Sequence, residues 1–189
     1  AAFAAEVRRV PMQVREPMMG EVRLQWWHDA IDGAAKGGSS GHPVADALGA
    51  AIRRRCHSDT GLLHTAVEAR LFDLSRGLHA DDAGLGTYLE ATDGCIFELG
   101  LAICGLPVSE HRRNIAGASG RAYGLARALV RLPALLDKGG FPMPEDRLSE
   151  AQVTPETLVA RPPTSETVRA VSSIAEILET SALRDLEIV

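Results

Sequence analysis

No aspartate in this chain of 189 residues is followed by another four positions later. That excludes the simplest helical carboxylate clamp for a divalent cation, since residues four apart share one helix face. The only acidic pair at that spacing is Asp146 with Glu150, which follows Pro144 and reads as an exposed first helical turn. Cysteine is scarce as well, at three residues. Cys95 and Cys104 fall within one expected helix, about 13 Å of rise apart, beyond disulfide reach. With Cys56 alone elsewhere, no disulfide framework exists and a reducing, cytoplasmic setting is expected. Aromatic residues make up only 4%. No apolar run reaches the roughly 18 residues of a membrane span, and no CxxC pair or glycine-rich phosphate loop occurs. Net charge is −5, which argues against nucleic acid as the main partner. The basic runs Arg53–Arg55 and His111–Arg113 read as solvated faces or helix ends.

What is present is helix after helix. Ala, Leu and Val dominate an apolar content of 46%, which suits closely packed helices in one domain, residues 1–189. Residues 1–10 read as the end of a helix closed by Pro11. The opening AAFAAEVRRV is already helical in character, so a preceding helix is expected upstream. Glu16-Pro17 restarts a helix, with Pro17 at a position that needs no amide donor. The glycine–serine stretch 37–41 ends it, and Pro43 opens the next, with Val44, Ala47, Leu48, Ala51 and Ile52 on one stripe. Asp59-Thr60 offers a cap for a helix carrying Leu62 through Leu74. Residues 84–104 form the most apolar helix, stopped at Gly105-Leu106-Pro107. A long helix over 109–136 is expected to break near Gly117 or Gly120. A loop over 139–144, a short helix from Thr154-Pro155 and a last helix after Pro162-Pro163-Thr164 complete the chain. Strand alternation is nowhere convincing. The fold class is all-α, a bundle of about seven or eight helices.

Several side-chain groups invite a chemical reading. Trp26 and Trp27 lie about 100° apart around their helix, which buries one and leaves the other near an edge beside Met18 and Met19. Asp29 and Asp32 on the same helix read as solvent-facing charge. Glu90 and Asp93 stand in the most apolar helix, where a carboxylate must face water, mate with arginine or line a cavity. His57 and His64 with Cys56 do not match a zinc spacing.

GEVRLQWWHDAI (20–31), YLEATDG (88–94), GRAYGLARAL (120–129) and FPMPEDRL (141–148) occur in the order and at the spacing of the squalene/phytoene synthase family, which the chain resembles over most of residues 1–160. The resemblance implies the isoprenoid synthase fold, helices around a central cavity. Active members join two prenyl diphosphates head to head and hold Mg²⁺ on two pairs of aspartates. The chain departs from the pattern at both places. Where the first pair should fall it reads EVRRVPMQV (6–14), with Arg8, Arg9 and Met12. Where the second should fall it reads RALVRLPALLDKGG (127–140), with Arg127, Arg131 and the single acid Asp137.

This deficit is similar to a divergent branch of the family that includes the mitochondrial complex I assembly factor. It implies a non-catalytic protein that binds a lipid or a protein partner, with no cofactor. The alternative is an active head-to-head prenyl transferase that would require Mg²⁺. Candidate cavity or diphosphate-binding residues are Arg8, Arg9, Glu90, Asp93, Arg127 and Asp137, with no metal ligand assigned. The implied ligand is an isoprenoid or another lipid. Membrane contact is expected to be peripheral at most, in the cytoplasm or, for a eukaryotic protein, in the mitochondrial matrix.

Overall fold

The computed structural model describes residues 1–55, 60–75, 77–107, 109–136, 143–160 and 163–189, and these are helical with no strand. The N-terminal half comprises α1 (Ala2–Gln13), α2 (Pro17–Ala35), α3 (Pro43–Arg55), α4 (Thr60–Glu68) and α5 (Leu71–Ser75). Then come α6 (Asp82–Leu89), a π-helical turn (Glu90–Gly94) and α7 (Cys95–Ile103). The rest is α8 (Glu110–Val130), α9 (Leu132–Leu136), α10 (Glu145–Glu150), α11 (Pro155–Val159) and α12 (Ser165–Leu186).

Local chemistry accounts for most boundaries. Pro17 begins α2 and Pro43 begins α3, as expected. Gly37 and Gly41 take the positive φ values of 88° and 74° that turn the chain between them. Thr154 and Thr157 form a reciprocal capping box on α11, and Thr164 caps α12. Gly105, at φ 82°, stops α7. The cap expected at Asp59 and the loop 139–142 lie outside the described residues.

Four expectations are corrected. The first helix runs past Pro11 to Gln13, since a proline in the last turn forfeits a single backbone bond. The helix after Thr60 is interrupted at Ala69–Arg70, where Arg70 turns inward and is buried. On α3 the buried residues are Ala45, Gly49 and Ile52, with Val44 and Leu48 half-buried against them and Ala47 exposed. α8 does not break at its glycines but continues through both to Val130.

The α8 glycines serve packing. A Cβ on Gly120 would lie 2.2 Å from the Gly94 nitrogen and 2.4 Å from its Cα, so the π turn and α8 cross backbone to backbone. Two apolar cores flank this crossing. One gathers Phe3, Leu24, Trp27, Ile31, Leu63 and Val67 from α1, α2 and α4. The other gathers Leu89, Leu125, Met143, Leu148, Ile174 and Leu178 around α8 and α12. Trp27 is 4% exposed and meets Phe3 edge to face at 5.4 Å, while Trp26 is 39% exposed. Burying each large side chain of this kind contributes about 1.5–3 kcal/mol. Arg112, in a run expected on a solvated face or at a helix end, lies in the first turn of α8 and is buried rather than solvated. Its guanidinium donates to Glu98 at 3.2 Å and to the Leu106 carbonyl at 2.8 Å, pinning the end of α7 to α8.

The crossing is testable against a glycine with room around it. Gly120→Ala drives a methyl into backbone that cannot swing aside, and it is expected to destabilise by about 3 kcal/mol or more. Gly100→Ala, with nothing within 4 Å of the added carbon, is expected to stabilise by about 0.5–1 kcal/mol through helix propensity. Urea denaturation of the two variants reads both signs.

Candidate functional site

A cavity of about 480 Å³ opens between α1, α5, α6, α8 and α9. Leu85, Leu89, Leu125, Leu135 and Phe72 make its apolar wall. Four arginines also line it: Arg8, Arg70, Arg127 and Arg131. Asp73 is the one carboxylate lining it among the described residues. The two segments in which the acidic motifs were sought, on α1 and α8, thus face the same space, and they bring guanidiniums to it.

Arg70, Asp73 and Tyr88 form a closed set. The Tyr88 hydroxyl donates to Asp73 Oδ1 at 2.7 Å and accepts from Arg70 Nη1 at 2.7 Å. Arg70 Nη1 also donates to Asp73 Oδ2 at 3.2 Å. Burial, with Asp73 adding to it, pushes the Tyr88 hydroxyl far above its ordinary value, so the phenol keeps its proton. His79 stacks on Phe72 at 4.2 Å and tilts against Tyr88 at 4.8 Å. Burial lowers its pKa, and Asp73 opposes this only in part.

The π turn carries Asp93 inward to 5% exposure, where its Oδ2 accepts from Arg127 Nη2 at 2.5 Å. A π-helical turn adds one residue to a helical circuit and re-aims the side chains after it. The Arg127 Nε is buried with no acceptor, while its guanidinium carbon lies 5.8 Å from the centre of the Tyr123 ring.

The remaining candidate residues are spread more widely. Arg8 lines the cavity, half-buried, with no partner for its side chain among the described residues. Arg9 does not reach it: it points outward, 60% exposed, and pairs with Glu6 at 3.1 Å, because adjacent helical residues face different ways. Glu90 is likewise corrected. It faces a neighbouring cleft between α6, α8 and α12, where Arg121 joins it to Asp185. Asp137 lies outside the described residues. Arg131 and the Arg70–Asp73–Tyr88 set were not among the candidates. Arg131 sat in the quoted segment, but Arg70 and Asp73 gave no signal in a stretch that reads as ordinary amphipathic helix.

This donor set does not fit Mg²⁺, which takes oxygen ligands, usually from one or two carboxylates. Both oxygens of Asp73 already accept hydrogen bonds, Asp93 is tied to Arg127, and Arg8, Met12 and Arg131 offer no anionic oxygen. Elsewhere, Asp29 accepts from Gln25, and Asp32 pairs with His64 at 3.1 Å. His64 in turn meets His28, Nδ1 to Nδ1 at 2.7 Å, which requires one ring to be neutral. Among the described residues no three His, Cys, Asp or Glu side chains converge as metal ligands do.

An all-helical fold around a cavity is what the resemblance to the squalene/phytoene synthases implies, and the chain belongs to that family: the family's sequence profile matches residues 1–182. Among curated proteins it is similar to the rat protein named NADH dehydrogenase (ubiquinone) complex I, assembly factor 6. The two are 26% identical over 160 residues, covering 85% of this chain and 47% of the rat protein. The cattle protein of the same name is 26% identical over 132 residues, covering 70% of this chain and 39% of its own length. The chain therefore spans less than half the length of both relatives.

Two predictions follow from these partners. Asp93→Ala strands the Arg127 guanidinium and is expected to destabilise by about 3 kcal/mol, whereas Asp93→Ala with Arg127→Met recovers most of that loss. Chemical denaturation of the single and double variants measures the difference. Stability is also expected to fall on acidification. Burial lowers the pKa of both His28 and His79 below 6.5, with His64 adding to the effect at His28 and Glu68, Asp32 and Asp29 opposing it. Above pH 6.5 both residues are neutral folded or unfolded and nothing is lost. Below it the unfolded chain binds protons that the folded one refuses, so stability declines as the pH drops through 6. His79→Phe should flatten part of this decline in thermal melts taken from pH 7.5 to 5.

Proposed function

We propose that this chain is a non-catalytic member of the squalene/phytoene synthase family that acts by binding, in an assembly role of the kind its curated relatives are named for. The observation that carries the reading is the donor set of the cavity. Arg8 and Met12 on α1, Arg127 on α8 and Arg131 just past its end stand in the segments where a diphosphate-ionising enzyme would present paired carboxylates. Ionising an allylic diphosphate leaves a pyrophosphate whose charge bridging metals neutralise, and these side chains cannot hold such metals.

On this reading the cavity takes a lipid ligand and the outer surface takes a protein partner. Met18, Met19 and Val22 are 70%, 51% and 60% exposed on α2, with Trp26 beyond them, and they supply an apolar face for such contact. No helix among the described residues is long and apolar enough to cross a membrane. The reading includes at most peripheral membrane contact, in the cytoplasm or, in a eukaryotic cell, in the mitochondrial matrix.

The alternative, a head-to-head prenyl transferase, makes the opposite prediction for one assay. Incubation of the full chain with farnesyl diphosphate and Mg²⁺ is expected to release no diphosphate above the protein-free blank and to yield no extractable C30 lipid. Catalytic diphosphate release, abolished by Asp73→Asn, replaces the binding reading with the transferase.

A further inference from the structure

Away from the cavity, α2 and α4 each carry a histidine four residues before a carboxylate: His28 with Asp32, and His64 with Glu68. Residues at that spacing share a helix face, and here the two faces meet. His28 Nδ1 lies 2.7 Å from His64 Nδ1. The ring planes are 4° apart and the centroids 5.0 Å apart, so the two nitrogens lie between the rings and point at each other. Asp32 Oδ1 accepts from His64 Nε2 at 3.1 Å. An ionised carboxylate only accepts, so Nε2 carries the hydrogen and the lone pair of a neutral His64 is on Nδ1. Metal-bound histidines are oriented in the same way, by a carboxylate on the outer ring nitrogen.

The charge around the pair is negative. Asp29, Asp32 and Glu68 all draw positive charge toward His28. A proton on each ring is nevertheless opposed, because burial and the facing His64 both disfavour a charged His28. One cation held between two neutral rings answers the carboxylates and sets no like charges face to face.

We propose that His28 and His64 form a two-histidine site for a divalent late transition cation of the Zn²⁺ class, which fastens α2 to α4 in place of the shared hydrogen. Imidazole nitrogen suits Zn²⁺, Ni²⁺ and Cu²⁺, whereas Mg²⁺ takes oxygen. At roughly 2.0–2.1 Å from each nitrogen and a tetrahedral angle, Zn²⁺ holds them about 3.3 Å apart. The rings therefore part by about 0.6 Å, a small rotation for two half-buried side chains. His28 moves its hydrogen from Nδ1 to Nε2, so both rings stay neutral and no proton is released. Among the described residues no third His, Cys, Asp or Glu side chain converges on this point, and water completes the coordination. The site is separate from the cavity, so it stands whether or not the chain is catalytic.

Calorimetric titration of the full chain with zinc chloride, at a mildly alkaline pH where free histidine is neutral, tests this. One equivalent is expected to bind and to raise the melting temperature, since the ion meets a preformed pair only in the folded chain. His28→Gln and His64→Gln are each expected to weaken that step at least tenfold and to abolish the rise. Asp32→Asn, which leaves both ligands in place, is expected to weaken it by about tenfold. Excess Mg²⁺ is expected not to compete. Cys56→Ser combined with His57→Gln is expected to change nothing, which separates this pair from the thiol and imidazole that precede His64 in the sequence. Absence of a saturable one-equivalent step overturns the proposal, as does unchanged affinity in either histidine variant or loss of the step in the Cys56→Ser, His57→Gln chain. Where a histidine variant does not fold, Asp32→Asn decides: its side chain is 63% exposed and can change without disturbing the core, and unchanged affinity there overturns the proposal as well.

Discussion

The backbone crossing between the π turn and α8 governs the placement of everything around the cavity. Gly94 and Gly120 allow two helical segments to approach more closely than any side chain permits. At that separation Asp93, one residue before the crossing, meets Arg127, two turns further along α8. Arg127 in turn faces the cavity, and Arg131 follows one turn later on the same face. On the other side of the π turn, Tyr88 closes on Arg70 and Asp73. Widening the crossing would separate the partners of both polar sets and leave buried charges unpaired, so a packing constraint underwrites the electrostatic one.

Much of the helical frame was legible in the amino-acid sequence because local chemistry writes it. Proline at the first helical position, threonine caps and glycine stops act within a few residues, and the boundaries at Pro17, Pro43, Gly105, Thr154 and Thr164 follow from them. Trp27 inside and Trp26 at the edge follow from the 100° step alone. The misreadings came from long-range partners. Gly117 and Gly120 resemble helix breakers until the π turn is seen against them. Arg112 looks solvated in the run His111–Arg113 until Glu98 arrives from another helix. Arg70 and Asp73 carry no local signal, since their meaning depends on Tyr88, fifteen or more positions away.

The candidate site was legible in kind and only partly in membership. The missing carboxylate pairs pointed to α1 and to the α8 segment, and both face one cavity. Which of two neighbouring arginines turns inward is a matter of helical phase: Arg8 lines the cavity and Arg9 pairs with Glu6 on the surface. Glu90 and Asp93 share a π-helical turn, whose altered phase sends one to Arg121 in the next cleft and the other to Arg127. Ideal α-helical spacing would have placed them side by side.

Guanidiniums in the segments where metal-binding carboxylates were sought reverse the sign of the cavity. A carboxylate pair attracts phosphate only through the cations it holds, so affinity and ionising power arrive together. Guanidiniums carry their own positive charge and need no bridging cation to meet an anion. The exposed Arg131 is poorly suited to the fixed, water-excluded field that charge separation demands. The absence of paired acids and the presence of the arginines are therefore one feature of the cavity's chemistry: oxygen ligands for a cation give way to a surplus of fixed positive charge.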